Sequence, residues 1–563
     1  MKWPAVAWGH SEKARVIMTT SAPNDGYTNA VTTIALLQSA AARHGSRPFI
    51  VDGSVVLSFR DTFDRVRELG TALRNDGFQP GGRAAIWAPN SWQWIVAALG
   101  VHWAGGTLVT LNTRYKGPEA AAILRASGAD TLFIVDRFLE VDYPAQLAGE
   151  ACPAVTRMIT MIHEPADDGI DPSGAAAKSL AAYLAEGAAL LASRGEKGSA
   201  EPAAIDGETP SDILFTSGTT GRAKGVITCH GQNLRAFTSF ATILGLDSSD
   251  RYLIINPFFH SFGYKAGWLA ALIAGATVYP LAVFDVPTVL DTIRRQQITV
   301  MPGPPTLFQS ILAQPELNIA DLQSLKKATT GAATIPTQLI VAMRETLGIS
   351  TVLTAYGLSE SCGLVSMCRA DNSAETIAQT SGRAIPDVEL AIMSPGGELL
   401  GPDESGEIVV RGYNVMQGYL DNPEATAETI DSHGWLHTGD IGSLDDAGNL
   451  RITDRLKDMY ICGGFNCYPA EIEQQLLDHP AIAQVAVVGM PDERMGEVGA
   501  AFVLLKHGND IAADDLLAWC RQHMANYKVP RRLQVIDALP LNASGKVLKT
   551  ELRQRLSADS SQS

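Results

Sequence analysis

The sequence predicts an α/β protein of more than one domain, on three observations. At 563 residues the chain exceeds the roughly 250–300 residues at which one hydrophobic core stops growing. Strand-like runs (RAAIWAP, TLFIV, YLIINP, ATVYPL) alternate with helical patterns, which is the signature of layers built on mostly parallel sheets. From Gly406 the character changes to short strands and turns (GEIVVRG, GWLHTGD, GNLRITDR), and after Asp454 a compact unit follows.

Taken in order, residues 1–29 read as an extension outside the fold. They carry charges inside their first apolar stretch and lack the uninterrupted apolar centre of a signal peptide, and Met18 is an alternative start. The run Trp94 to Leu111, WIVAALGVHWAGGTLVTL, is the most membrane-like. His102 and the pair Gly105-Gly106 interrupt it, so a buried helix and a buried strand are expected rather than a span. Ala266 to Leu281 repeats that helix-turn-strand pattern. Between Asp167 and Ile205 a stretch rich in Ala, Gly, Ser and Glu holds one surface helix, LAAYLAEGAALLASRGEK, where no chemistry is expected. In the last unit AEIEQQLLDH reads as a helix, IAQVAVVGMPD as a strand and turn, and DDLLAWCRQHM as a second helix. The charged segment RITDRLKDM marks a boundary near Asp454 to Lys457. The division is therefore 1–29 extension, 30–454 large domain, 455–457 hinge and 458–563 small domain.

A net charge of −16 disfavours sequence-independent capture of nucleic acid, which needs a basic surface. The seven cysteines have neither CxxC spacing nor a histidine set for zinc, and read as reduced thiols of a cytoplasmic protein. The partners expected are small molecules; the oligomeric state, homo-oligomer included, stays open.

The chemistry-bearing stretch is LFTSGTTGRAKGV, Leu214 to Val226. A short apolar strand enters a turn with hydroxyls at Thr216, Ser217, Thr219 and Thr220, glycines at Gly218 and Gly221, and a charge at Lys224. Strand followed by Gly-rich turn is how backbone N–H groups are aimed at phosphate oxygens. A Walker A loop would need Gly before the lysine and Ser or Thr after it. Here Ala223 precedes Lys224 and Gly225 follows it, so the loop is a phosphate cradle of another kind.

These residues resemble the adenylate-forming superfamily of acyl-CoA synthetases, luciferases and peptide-synthetase adenylation domains, whose signature is similar to YTSGTTGxPKG. TSGTTGRAKG departs from it at Ala223. The likeness covers roughly residues 30 to 555 and continues in TGAATIP, TAYGLSES, GWLHTGD, ITDRLKD, MYICGGFNCYPAEIE and NASGKVLKTEL. It implies a large N-terminal domain of layered α/β subdomains with a β-barrel-like part, and a small mobile α+β C-terminal domain. It implies ATP, CoA and Mg²⁺. The phosphate loop and Lys224 would grip the β- and γ-phosphates. Gly331, Ala332 and Ala333 would lie flat against adenine, with Thr354, Ala355, Tyr356 and Gly357 beside it and Tyr356 stacking on the purine. Ser359 would offer its hydroxyl to the α-phosphate, and Glu360, with Thr216, would hold the metal. Asp440 would take the ribose hydroxyls and Arg455 the ribose or phosphate. Lys457 falls at the hinge, Gly463 and Gly464 would line the pantetheine tunnel, and Lys546 would contact the carboxylate and α-phosphate oxygens. With Lys224 and Glu360, Lys546 completes the implied catalytic set.

The acid should lie behind INPFFHSFGYKAG and PGPPTLFQSIL, with Phe259, His260 and Gly303 as pocket residues. His260 reads equally as a satisfied core histidine, and Phe258, Phe262 and Trp268 read as core as readily as pocket lining. No aspartate lies between Arg251 and Val283 to hold a substrate amine, which disfavours an amino acid. INPFFHSFGYKAG, PGPPTLFQSIL, VLTAYGLSE and RITDRLKDMYICGGFN are similar to bacterial CoA ligases for the bicyclic propanoate left after steroid ring opening. A medium- or long-chain fatty acid is the next reading. A luciferase-type oxidase and a non-catalytic adenylate-binding protein are the alternatives of other kinds; Glu360 together with Lys546 argues against a decayed site.

Overall fold

The computed structural model describes residues 17–18, 30–161, 178–194, 201–216, 223–331, 335–455, 458–462, 465–467, 469–492, 494–524, 526–541 and 547–560. Residues 1–16 and 19–29 of the predicted extension lie outside this set; its described pair Ile17–Met18 does not stay outside the fold as expected but pairs antiparallel with Val388–Met393. The molecule is mixed α/β, a large N-terminal domain followed by a small C-terminal one.

The backbone of the large domain is an eight-stranded sheet. Arg157–Met161, Thr131–Val135, Arg83–Trp87, Thr107–Thr110 and Pro210–Thr216 run parallel to their neighbours, and Lys224–Cys229 and Gly418–Tyr419 add antiparallel strands at one edge. The membrane-like run resolves as expected. Its helix Trp92–Trp103 is capped by the Ser91 hydroxyl, which accepts the Trp94 N–H, and is apolar all round because both faces are buried. The strand Thr107–Thr110 follows, buried throughout. Among the described residues no helix is long and apolar enough to cross a membrane.

A second sheet holds Arg251–Ile254 and Thr277–Pro280 in parallel, and a third pairs Lys327–Thr330 with Thr351–Tyr356 in parallel. The predicted change of character after Gly406 appears as a five-stranded antiparallel half-barrel sheet. In it Gly406–Gly412 pairs with Leu436–Leu444, which pairs with Leu450–Arg455. The surface helix of the Ala-rich stretch is Leu180–Arg194; it buries Leu180, Tyr183, Leu184 and Gly187 against the domain, half-buries Ala182, Glu186, Leu190 and Leu191, and exposes Ala181, Ala185, Ala188, Ala189, Ala192 and Ser193.

The main hydrophobic core reaches Leu450, and separate small cores begin at Tyr460. There the strands Ile482–Asp492 and Gly496–Leu505 pair antiparallel, with helices Pro469–Leu477, Ala513–His523 and Lys549–Ser560 around them. The last helix is tied to the first by an ion pair, Lys549 Nζ to Glu473 Oε1 at 2.8 Å.

Candidate active site

Three predicted motifs leave the carboxyl ends of strands in parallel pairs: the phosphate loop after Thr216, the small-residue turn after Thr330 and the AYG stretch at Tyr356. Ligands of open α/β sheets bind at such ends, where loops diverge and backbone groups point outward.

Thr216 and Lys224 stand opposite each other at the mouth of the hairpin, with the Thr216 hydroxyl 3.5 Å from the Lys224 carbonyl. Ser217, Gly218, Thr219, Thr220 and Gly221 lie outside the described residues. Lys224 directs its ammonium over the Tyr419 ring, 4.8 Å from the centroid. The Tyr419 hydroxyl donates to Glu360 Oε1 at 2.9 Å. The two charges that the resemblance assigns to phosphate and metal thus meet through one tyrosine, which the motif reading did not single out.

The residues expected on the nucleoside side are built the same way. Tyr356 ends its strand and donates its hydroxyl to Asp440 Oδ2 at 2.6 Å, both residues being buried. Asp440 in turn stands opposite Arg455 in the half-barrel register; the Arg455 side chain is outside the described set. A side chain at Gly331 would come 3.5 Å from the Ala355 carbonyl, so the two small-residue stretches lie side by side. Ala332 and Ala333 are outside the described residues. Gly357 is required by packing, since a Cβ there would sit 2.3 Å from the Gly363 carbonyl carbon. Ser359 opens a short 3-10 turn, Ser359–Ser361, that carries Glu360. The Thr354 hydroxyl is engaged in the core by Cys368 Sγ at 3.0 Å and the carbonyls of Thr380 and Ile377 at 2.9 and 3.1 Å, and its own carbonyl accepts the Cys368 N–H at 2.9 Å.

On the acyl side, Phe259 is half-buried and its carbonyl accepts the Thr110 hydroxyl at 2.7 Å. Gly303 is buried with its N–H on the Thr329 carbonyl at 2.9 Å. His260 is exposed rather than a core histidine: its Nδ1 accepts the Phe262 N–H at 3.2 Å and caps the turn Ser261–Gly263. Phe258 and Trp268 are fully buried against Trp94 and are plain core. What shapes the loop is Asn90, also unnoticed in the sequence. Its amide donates to the carbonyls of Asn256 at 3.0 Å and Leu281 at 3.1 Å, and its Oδ1 accepts the Phe258 N–H at 2.7 Å.

Below the phosphate loop lies a second unpredicted feature. Lys265, in a π-helical turn, Tyr264–Leu269, forms a fully buried ion pair with Asp212 at 2.9 Å. Thr228 donates to the same carboxylate oxygen at 2.9 Å, and Ser211 and Asn233 donate to the other at 2.7 and 2.6 Å.

Lys457, Gly463, Gly464 and Lys546 are outside the described residues. The strands around the glycine pair, Tyr460–Cys462 and Phe465–Cys467, pair antiparallel, so the helix at Pro469 begins only after a hairpin strand. The segment carrying Lys546 is closed at its base by Leu541 bridging Val547 and by the Leu548 N–H on the Pro540 carbonyl at 2.8 Å.

Residues 37–420 match the AMP-binding enzyme family and residues 471–546 its C-terminal domain. The chain belongs to the AMP-binding enzyme family. Within that family it is 47% identical over 525 residues to a 3-((3aS,4S,7aS)-7a-methyl-1,5-dioxo-octahydro-1H-inden-4-yl)propanoyl:CoA ligase of Rhodococcus jostii, covering 93% of this chain and 98% of the relative. The ligase of the same name from Mycobacterium tuberculosis is 49% identical over 491 residues, covering 87% and 92%. Among solved structures of AMP-binding enzymes, ATP-bound MatB from Rhodopseudomonas palustris superposes with a TM-score of 0.79 at 26% identity, covering 92% of this chain and 98% of that one.

Proposed function

We propose that this AMP-binding enzyme is an acid–thiol ligase that makes an acyl-CoA from ATP, CoA and an apolar carboxylic acid through an acyl-adenylate, and that its acid is a bicyclic propanoate derived from a steroid nucleus. The observation that carries the adenylation reading is the paired arrangement of Tyr356 with Asp440 and of Lys224 with Tyr419 and Glu360, a nucleoside side and a phosphate side at adjoining strand ends. The acid is argued from the two ligases at 47% and 49% identity and from an acyl loop without an amine-binding carboxylate.

In the first step a carboxylate oxygen attacks the α-phosphorus of ATP and pyrophosphate leaves; in the second the CoA sulfur attacks the acyl carbonyl and AMP leaves. Such phosphorus chemistry depends on positioning and charge neutralisation. Tyr356, Asp440 and Arg455 hold the nucleoside, and Ala355, Gly331, Ala332 and Ala333 flank the base. Lys224 and the loop through Gly221 hold the outgoing phosphates, and Lys546 bridges the reacting carboxylate and α-phosphate. Among the described residues no group of three metal-ligating side chains occurs. Glu360 alone, with Thr216 beside the loop, fits a cation that takes most of its oxygens from phosphate and water, as magnesium does. When bound, that cation supplies further neutralisation of phosphate charge. Gly463 and Gly464 line the thiol's approach, and the small domain turns about Lys457 between the two steps.

The deciding measurement is AMP and pyrophosphate release with CoA across bicyclic steroid-derived, fatty and aromatic acids. ADP and orthophosphate as products would end the adenylation reading; AMP release that peaks on fatty acids would end the steroid one. Lys546→Ala is expected to slow acyl-adenylate formation by about 2.7–4 kcal/mol of barrier, the loss of one charge-stabilising donor, and to spare thioester formation from supplied acyl-adenylate. Equal loss in both half-reactions removes Lys546 from the role.

A further inference from the structure

Tyr419 is held by backbone hydrogen bonds on both sides of its position. Its two-residue strand Gly418–Tyr419 edges the eight-stranded sheet, with Tyr419 opposite Val226 on the strand that Lys224 begins. Around it the Gln417 N–H donates to the Ile227 carbonyl at 2.9 Å, the Leu420 N–H to the Gly225 carbonyl at 2.7 Å, and the Tyr419 N–H to the Thr426 hydroxyl at 2.9 Å. The Met416 N–H donates to the Glu360 carbonyl at 2.8 Å. Gly418 has φ +144° with Thr426 Cγ2 only 3.1 Å from where a Cβ would stand, so glycine is needed there. One segment is therefore anchored both to the strand of Lys224 and to the backbone of Glu360. Its side chain touches both of their charges, the ring under the Lys224 ammonium and the hydroxyl on Glu360 Oε1. A phenol is protonated at neutral pH, so the hydroxyl donates to the Glu360 carboxylate.

The geometry points to Tyr419 as a positioning residue for nucleotide and metal: its hydroxyl ties one Glu360 oxygen so that the carboxylate is presented to the cation accompanying ATP, and its ring steadies Lys224 beside the phosphate loop. The inference rests on the adenylation reading above. Its physical sense is preorganisation. An ammonium and a carboxylate left to themselves collapse into a direct ion pair that an incoming metal–phosphate would have to break. A tyrosine interposed between them satisfies each with a weaker contact and keeps both available.

The test uses the full-length protein and calorimetric ATP binding, once with excess Mg²⁺ and once with EDTA; the ratio of the two affinities is the Mg²⁺-linked gain. Tyr419→Phe keeps the ring and removes the hydroxyl. It is expected to cut the Mg²⁺-linked gain roughly tenfold, as loss of one hydrogen bond to a charged group would, while affinity for metal-free ATP stays within about twofold and the melting temperature is unchanged. Tyr419→Leu removes the ring as well and is expected to lower metal-free affinity about two- to fivefold more, the scale of one exposed cation–π contact. A Mg²⁺-linked gain in Tyr419→Phe equal to or larger than that of the wild type overturns the inference, and so does an equal fall with and without metal, which marks a merely structural residue. Wild-type protein that binds no ATP under either condition overturns the adenylation reading itself, an outcome separable from the others because it appears before any substitution is made.

Discussion

Two polar clusters share the hairpin that begins with Pro210–Thr216, and they differ in how fully they are satisfied. At its base Asp212 is sealed from water, and four donors, Lys265, Thr228, Ser211 and Asn233, fill both of its carboxylate oxygens. At its mouth Lys224 has an aromatic face and Glu360 one phenolic hydroxyl, which leaves each charge able to take a ligand. A buried charge must be paired or it is costly, whereas a charge meant for phosphate or metal must not be fully paired beforehand. On the proposed function, the base of the hairpin serves stability and the mouth serves binding.

Breaking the sealed cluster should give the largest effect. Lys265→Met strands the Asp212 carboxylate in the core and is expected to cost about 3–5 kcal/mol of folding stability, read as a lowered urea midpoint. Adding Asp212→Asn in the same chain removes the orphaned charge while keeping polar partners for Thr228 and Asn233, and should recover more than half of that loss. A double variant no better than the single one would show that the pair contributes by packing and not by charge.

The open side should respond more in binding than in stability. Tyr356→Phe removes the hydroxyl that donates to the buried Asp440 carboxylate and is expected to weaken ATP by about 1.5–3 kcal/mol, the worth of a hydrogen bond to a charged group, with a smaller fall in the urea midpoint from the donor that Asp440 loses. A stability loss as large as the affinity loss would erase the contrast between the two clusters.

Lys224 and Glu360 of the open cluster were legible, because their signals are local, whereas Tyr419 between them was not. Hydroxyls and glycines crowd into TSGTTGRAKG, Tyr356 ends a β-branched strand, and Asp440 closes GWLHTGD. The layered α/β order, and the helix and strand inside the membrane-like run, were legible for the same reason, since periodicity and punctuation act over a few residues. The sealed cluster was not. Lys265 in FFHSFGYKAG carries no local signal of burial, and it is a π-helical turn placing it against Asp212 that buries it. Asn90 escaped notice because its partners, the carbonyls around Asn256 and Leu281, come from a distant segment. Trp268 and Phe258 were ambiguous until Trp94 was seen to pack on them. Long-range pairing, not composition, decides such residues.

The smallest expected effect concerns how the sealed region answers to acid. His102 Nε2 lies 2.9 Å from the Ser211 carbonyl, which can only accept, so the neutral ring carries its proton there and its Nδ1 accepts the Thr33 hydroxyl at 2.9 Å. His230 packs edge-on against it at 4.7 Å and buries an Nε2 that has no hydrogen-bond partner among the described residues. Burial lowers both histidines below their ordinary range, His230 the further, with His102 adding to its shift. The unfolded chain, with histidine near pH 6.5, binds those protons first, so the stability is fully present above that value and is lost as pH falls toward the depressed folded values. Between about pH 7.5 and about pH 6 the wild type should lose roughly 1 kcal/mol through His230 alone, measured as a falling urea midpoint, and His230→Asn should flatten that slope. The open cluster holds no histidine among the described residues brought together there, so nucleotide affinity over the same interval, measured with excess Mg²⁺ to keep the terminal phosphate ionised, should change less than stability does. An affinity that fell in step with stability would mean that base and mouth act as one unit, and that the division drawn between them is wrong.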